Sequence, residues 1–101
     1  MEPTIIYHIA QYEDWQKAAA TGLYVPSTFE QEGFIHCAKE EQVDGVLDRY
    51  FKDKTVIKFT IDVSRLVYPP IFEWASSINQ QFPHIYGPIN LDAIIATQAI
   101  G

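Results

Sequence analysis

Residues 4–22, TIIYHIAQYEDWQKAAATG, change rhythm partway, and that change sets the fold class. Thr4-Ile5-Ile6-Tyr7-His8-Ile9 is β-branched and aromatic, a dense apolar run that predicts a strand buried on both faces, with His8 near its C-terminal end. From Tyr12 the pattern turns helical. Tyr12, Trp15 and Ala19 share a stripe, Glu13 and Asp14 complement the positive N-terminal end, and Gly22 supplies a stop. This helix is expected to press Trp15 onto the sheet.

The chain beyond continues to alternate between strand and helix signals. Ser27-Thr28-Phe29-Glu30 has the S-x-x-E spacing of a capping box, in which Ser27 and Glu30 satisfy exposed backbone donors and open a short helical turn ending at Gly33. Phe34 to Cys37 reads as a brief strand. Lys39 to Lys52 reads as the second main helix, since Val43, Val46, Leu47, Tyr50 and Phe51 recur at i, i+3, i+4, i+7 and i+8. Gly45 inside it costs about 1 kcal/mol relative to alanine, which implies close packing against a neighbour. Thr55 to Ile61 alternates as a central strand does. Asp62 to Leu66 forms a turn, and Pro69-Pro70 interrupts regular structure before the short strand Ile71 to Trp74. Ala75 to Gln81 is small and polar, the composition of a mobile loop, and it leads into Phe82 to Ile89. Ala93 to Ala99 is expected as the last strand. No repeat, heptad run or linker composition interrupts the order, so one α+β domain is expected over residues 1–101, with a mixed, mostly antiparallel sheet flanked by two main helices.

Composition narrows the function classes. Hydrophobic residues make up 48% of the chain and aromatic residues 14%, enough apolar surface for burial to offset chain entropy. Seven basic against thirteen acidic residues give a net charge of −6. The basic residues are scattered, so nucleic acid and anionic membranes are disfavoured partners and a small-molecule ligand suits the surface better. Cys37 is the only cysteine, which excludes an internal disulfide and a thiolate metal cage. With no basic-then-apolar leader at Met1-Glu2-Pro3, the cytoplasm is the expected compartment.

Chemistry is carried by histidines. His8, His36 and His84 each lie in an apolar strand-like segment, where an unpaired ring nitrogen would cost about 1 to 3 kcal/mol. Any one of them can be a core histidine satisfied by backbone carbonyls. Three meeting in one cavity would instead supply groups able to position, polarise and transfer protons, with Glu73 as their carboxylate. Glu73 can equally be a solvated residue at a strand end. Cys37 next to His36 suggests a thiol nucleophile, but adjacent strand residues point to opposite faces, leaving only His8 or His84 to activate it. The histidine spacing contains no short ligand pair, so no metal site is signalled. Tyr7, Tyr24, Trp74 and Tyr86 are candidates to wall a cleft for a flat ring, and Gly87-Pro88 forces a turn beside them. There is no Walker loop, G-x-G-x-x-G or G-x-S-x-G motif.

The strings IYHI at 6–9, Trp15, EGFIHCA at 32–38, Gln42, Glu73 and FPHIYGPI at 82–89 resemble the bacterial domain of unknown function 952 family along nearly the whole chain. The chain departs from that family's usual serine at Ala38, a change expected to touch the capping of the following helix rather than chemistry. The family is remotely similar to the ADP-ribosyltransferase-like fold. This resemblance implies that His8 orients a nicotinamide dinucleotide through ribose contacts and that His36 lines the nicotinamide ribose. Glu73 or His84 would fill the third motif. The implied chemistry is rupture of an N-glycosidic bond, with a carboxylate stabilising positive charge on the ribose. NAD enters as substrate, with no bound cofactor.

The resulting candidate set places Glu73, His36 and His84 in catalytic roles and His8, Ser27, Gln42, Tyr86 and Gly87 against the substrate. Three functions share it: an NAD- or ADP-ribose-utilising transferase or glycohydrolase, a non-catalytic nucleotide-like binding module, and a structural or adaptor domain. Fold alone does not separate them.

Overall fold

The computed structural model describes residues 2–101. The chain runs β1 (Ile5–Gln11), α1 (Tyr12–Thr21), β2 (Leu23–Tyr24), α2 (Phe29–Glu32) and β3 (Ile35–His36). A 3-10 turn, Glu40–Gln42, then leads into α3 (Val43–Tyr50). After it come β4 (Val56–Asp62), β5 (Ile71–Ala75), β6 (Gln80–Ile85), β7 (Ile89–Asn90) and β8 (Ile94–Ile100).

Alternation in β4 puts Val56, Ile57, Phe59 and Ile61 inside, and this strand takes the centre of a sheet ordered β1-β4-β8. A second sheet is ordered β3-β6-β5, and β2 pairs with β7 in a two-stranded ribbon. Every pairing is antiparallel, so the expected mixed sheet is corrected to separate antiparallel ones. Ile6, Tyr24, Ile35, Phe59, Ile61, Ile85 and Ile89 meet in the main core, each contributing about 1.5 to 3 kcal/mol by burial. Trp15 packs edge-on against Phe59 with ring centroids 5.1 Å apart, as expected. A smaller core forms where Val43, Val46, Leu47 and Phe51 of the second helical region cover Ile9 and Val56.

Among the described residues the two three-stranded sheets share one backbone bridge. Tyr7 N–H donates to the Ala38 carbonyl at 2.8 Å and Ala38 N–H donates to the Tyr7 carbonyl at 2.7 Å. One residue earlier the chain has already turned to the other sheet, since Cys37 N–H donates to the Pro83 carbonyl at 3.0 Å. Past Tyr7, β1 and β3 therefore part, and a split opens between the sheets.

Several local expectations are corrected. The inward face of α1 carries Asp14 and Ala18 rather than Tyr12 and Ala19, because the Asp14 carboxylate accepts hydrogen bonds from both the N–H and the hydroxyl of Ser27. That same pair removes Ser27 from the capping box: α2 begins after Thr28 with no side-chain cap. Ala38 is not a cap position either, since the Gln42 amide oxygen accepts from Lys39 N–H at 2.9 Å and closes that turn. Gly45 faces only the flexible guanidinium of Arg49 on its own helix. Residues 75–81 form a tight hairpin rather than a loop, with Asn79 N–H donating to the Ala75 carbonyl at 2.8 Å and Asn79 in the left-handed region at φ 59°, a conformation asparagine tolerates.

Candidate active site

The split between the sheets holds a cavity of about 510 Å³, lined from β1, β3, β6, α1, α2 and α3. His8, His36 and His84 all line it, yet their environments divide them into one brace and one pair.

His8 is the brace. Its Nδ1 lies 2.5 Å from the His36 carbonyl and its Nε2 lies 2.7 Å from the Tyr24 hydroxyl. A carbonyl only accepts, so Nδ1 carries the proton, and the Tyr24 hydroxyl donates to the bare Nε2. The ring also packs against Tyr24 and Phe59. Burial lowers its pKa from 6.5 to about 4, because a charged imidazole would lose its hydration there. Both ring nitrogens are thus committed, and the role given to His8 as a ribose contact requires the Tyr24 hydroxyl to give way first. Burial likewise raises the Tyr24 phenol well above its ordinary value.

His36 and His84 form the pair, facing each other in register across β3 and β6 with ring centroids 5.2 Å apart. His84 Nδ1 lies 2.8 Å from Glu73 Oε1, and the Tyr86 hydroxyl donates to the same oxygen. Those two donors, Tyr86 first, hold the Glu73 carboxyl below its usual range. Glu73 is therefore ionised at neutral pH, His84 donates from Nδ1, and its Nε2 stays open. His36 Nε2 donates to Glu32 Oε2 at 2.7 Å. Phe34 stacks on His84 at 4.2 Å and meets His36 edge-on at 4.7 Å, fixing both rings. Two imidazoles, each held by its own carboxylate, therefore stand at one cavity.

The other candidate residues divide between the cavity wall and positions away from it. Gln42 donates to the Gln80 side chain at 3.0 Å and to the Gln81 carbonyl at 2.8 Å while its oxygen caps Lys39. Its amide groups are bonded on both sides, it ties the second helical region to the hairpin, and it does not line the cavity. Ser27 bonds Asp14 beside the cavity, whose wall is made by its neighbours Pro26 and Thr28. Gly87 serves packing: a Cβ there would meet the Tyr68 ring at 2.5 Å. Tyr86 does not line the cavity and bonds Glu73. Tyr7 and Tyr24 wall the cavity as expected, whereas Trp74 is exposed. Cys37 lines the cavity, but burial pushes its thiol pKa far up, which removes the thiolate nucleophile. Among the described residues no three His, Cys, Asp or Glu side chains are placed to hold a metal ion.

The linear reading missed Glu32, Asp14 and Phe34. Glu32 and Asp14 add carboxylates to the wall, and in sequence the first-turn position of Asp14 is accounted for by the helix dipole alone. For Glu32, the signal available was its place four residues before His36.

The fold and site define a small α+β domain whose antiparallel sheets part around a histidine-lined cleft. The chain belongs to the family described as protein of unknown function DUF952, which matches residues 9–97. Its fold is that of CC0527 from Caulobacter crescentus. One crystal structure of that protein matches with a TM-score of 0.86 at 22% identity, covering 97% of this chain and 87% of that one. Its solution NMR structure matches with a TM-score of 0.73 at 22% identity over 95% and 84% of the two chains. No curated protein matches the chain. Among the described residues no helix is long and apolar enough to cross a membrane.

Proposed function

We propose that the cleft cleaves the bond between nicotinamide and ribose in NAD-like molecules, passing the ribosyl group to water or to an acceptor hydroxyl. The observation that carries this reading is the carboxylate-backed pair, His84 on Glu73 and His36 on Glu32, at one cavity. A volume of about 510 Å³ lies in the usual range for small-molecule sites.

Bond rupture returns the C1′–N electron pair to the nicotinamide ring and leaves positive charge on the ribose. Glu32, on the cavity wall, favours that charge more as it develops, which is the differential stabilisation catalysis needs. The attacking oxygen forms its bond to C1′ and gives its proton to the open Nε2 of His84, whose rise in charge Glu73 stabilises from Nδ1. His36, oriented by Glu32, holds a ribose hydroxyl.

Nicotinamide release from NAD and from nicotinamide riboside tests the reading. Wild-type protein is expected to release nicotinamide, and His84→Ala to lose about 10² to 10⁴ of the rate, the usual worth of a general base, while melting close to the wild type. Finding release from neither substrate overturns the reading. Saturable binding without turnover would then assign the cleft to a non-catalytic binding module.

A further inference from the structure

Resting on the proposed cleavage, we infer that the cleft selects the unphosphorylated, cationic N-ribosyl pyridinium rather than the dinucleotide. The inference comes from the charge of the walls. Asp14 and Glu32 contribute carboxylates to the cavity, and no Lys or Arg stands among the described residues that line it. The nearby cations are held on the rings of wall residues without themselves lining the cavity: Lys58 lies over the Tyr7 ring at 5.5 Å and Arg49 over the Tyr50 ring at 5.8 Å. Lys39 pairs with Glu41 at 3.7 Å.

No helix N-terminus substitutes for these cations. α2 has only four residues, with Glu30 and Glu32 in its first turn. α1 begins with Glu13 and Asp14, and α3 with Asp44. A diphosphate entering the cleft would exchange water for carboxylates, with no lining Lys or Arg among the described residues to offset the loss. A pyridinium ring carries its charge in a flat aromatic frame. The same walls, with Tyr7, Tyr24 and Phe82 as apolar surface, suit that ring in both respects. The net charge of −6 extends this preference outward by drawing cations toward the surface.

The covalent step is unchanged. The C1′–N bond breaks, its electrons neutralise the ring nitrogen, and water supplies the new C1′–O bond and the released proton. Neutral nicotinamide leaves a site whose carboxylates no longer hold it, which favours product release.

Steady-state kinetics with nicotinamide riboside and with NAD, each at low and high salt, test the inference. The expected kcat/KM is at least about tenfold higher for nicotinamide riboside. Added salt should lower the riboside value and raise the NAD value, because screening weakens attraction and repulsion alike. Glu32→Gln should narrow the riboside-to-NAD ratio, with circular dichroism and melting confirming that the variant is folded. Preference for NAD, or a NAD rate that falls with salt, overturns this inference and leaves bond cleavage standing. If neither substrate yields nicotinamide, the cleavage reading fails and takes this one with it.

Discussion

His8 and His84 sit at one cavity, and the same ring is held there in opposite ways. His8 is 7% exposed, has a partner on each nitrogen and is held neutral by burial. His84 donates one nitrogen to an ionised carboxylate and keeps the other open. The difference is one of partners: a carbonyl and a phenol fix a neutral tautomer, whereas a carboxylate would stabilise the charged ring that the proposed proton transfer creates. A histidine on a cavity wall is therefore not by itself a working group.

Removing the brace should produce the largest effect. His8→Ala leaves the Tyr24 hydroxyl and the His36 carbonyl without their partner and empties space beside Phe59. The expected loss is about 3 to 5 kcal/mol in chemical denaturation. A loss no greater than that of an average surface change would make His8 a spectator.

Acid should reveal the brace a second way. An unfolded-chain histidine protonates near pH 6.5, while His8 in the fold resists until about pH 4. Between those values the unfolded chain binds a proton the native chain does not, so stability falls as pH falls through that window, by about 3 kcal/mol. Glu73 adds its own loss at lower pH, where its depressed carboxyl finally protonates. Denaturation midpoints across that range in the wild type and a folded His8→Asn variant separate the two, since only the wild type should show the upper window.

Gly87→Ala should come next. The new methyl meets the inner atoms of the Tyr68 ring, an overlap that costs about 1 to 3 kcal/mol. Adding Tyr68→Ala should relieve most of it in a double-mutant cycle. The smallest structural effect is expected for Glu73→Gln, which should melt close to the wild type while slowing nicotinamide release, because Glu73 orients a group at the surface of the cleft and packs no core.

Regular periodicity was the legible part of this fold. β4 and β8 were readable from alternation and apolar content, and the Trp15 contact from the helical stripe of α1. What resisted reading were choices among tertiary partners. Ser27 and Glu30 have capping-box spacing, yet Ser27 bonds a buried carboxylate thirteen residues earlier, which local spacing cannot register. The break between sheets at Tyr7 and Ala38 depends on where β6 lies, and the two residues are 31 positions apart in the chain. At the site, the sequence leaves open whether the histidines meet, and all three line the cavity. Their different duties depend on Tyr24, Glu32 and Phe34, which the linear pattern did not connect to them.

The division of labour can be observed atom by atom. Long-range proton–nitrogen correlation spectra of the three imidazoles, recorded while nicotinamide riboside is added to His84→Ala and wild-type protein, report each tautomer and its contact with ligand. His8 is expected to keep its Nδ1–H tautomer unchanged throughout, the His36 and His84 rings of the wild type to shift saturably, and the His36 response to weaken when His84 is absent. Saturable shifts confined to His8, or none at any ring, would contradict this division of labour.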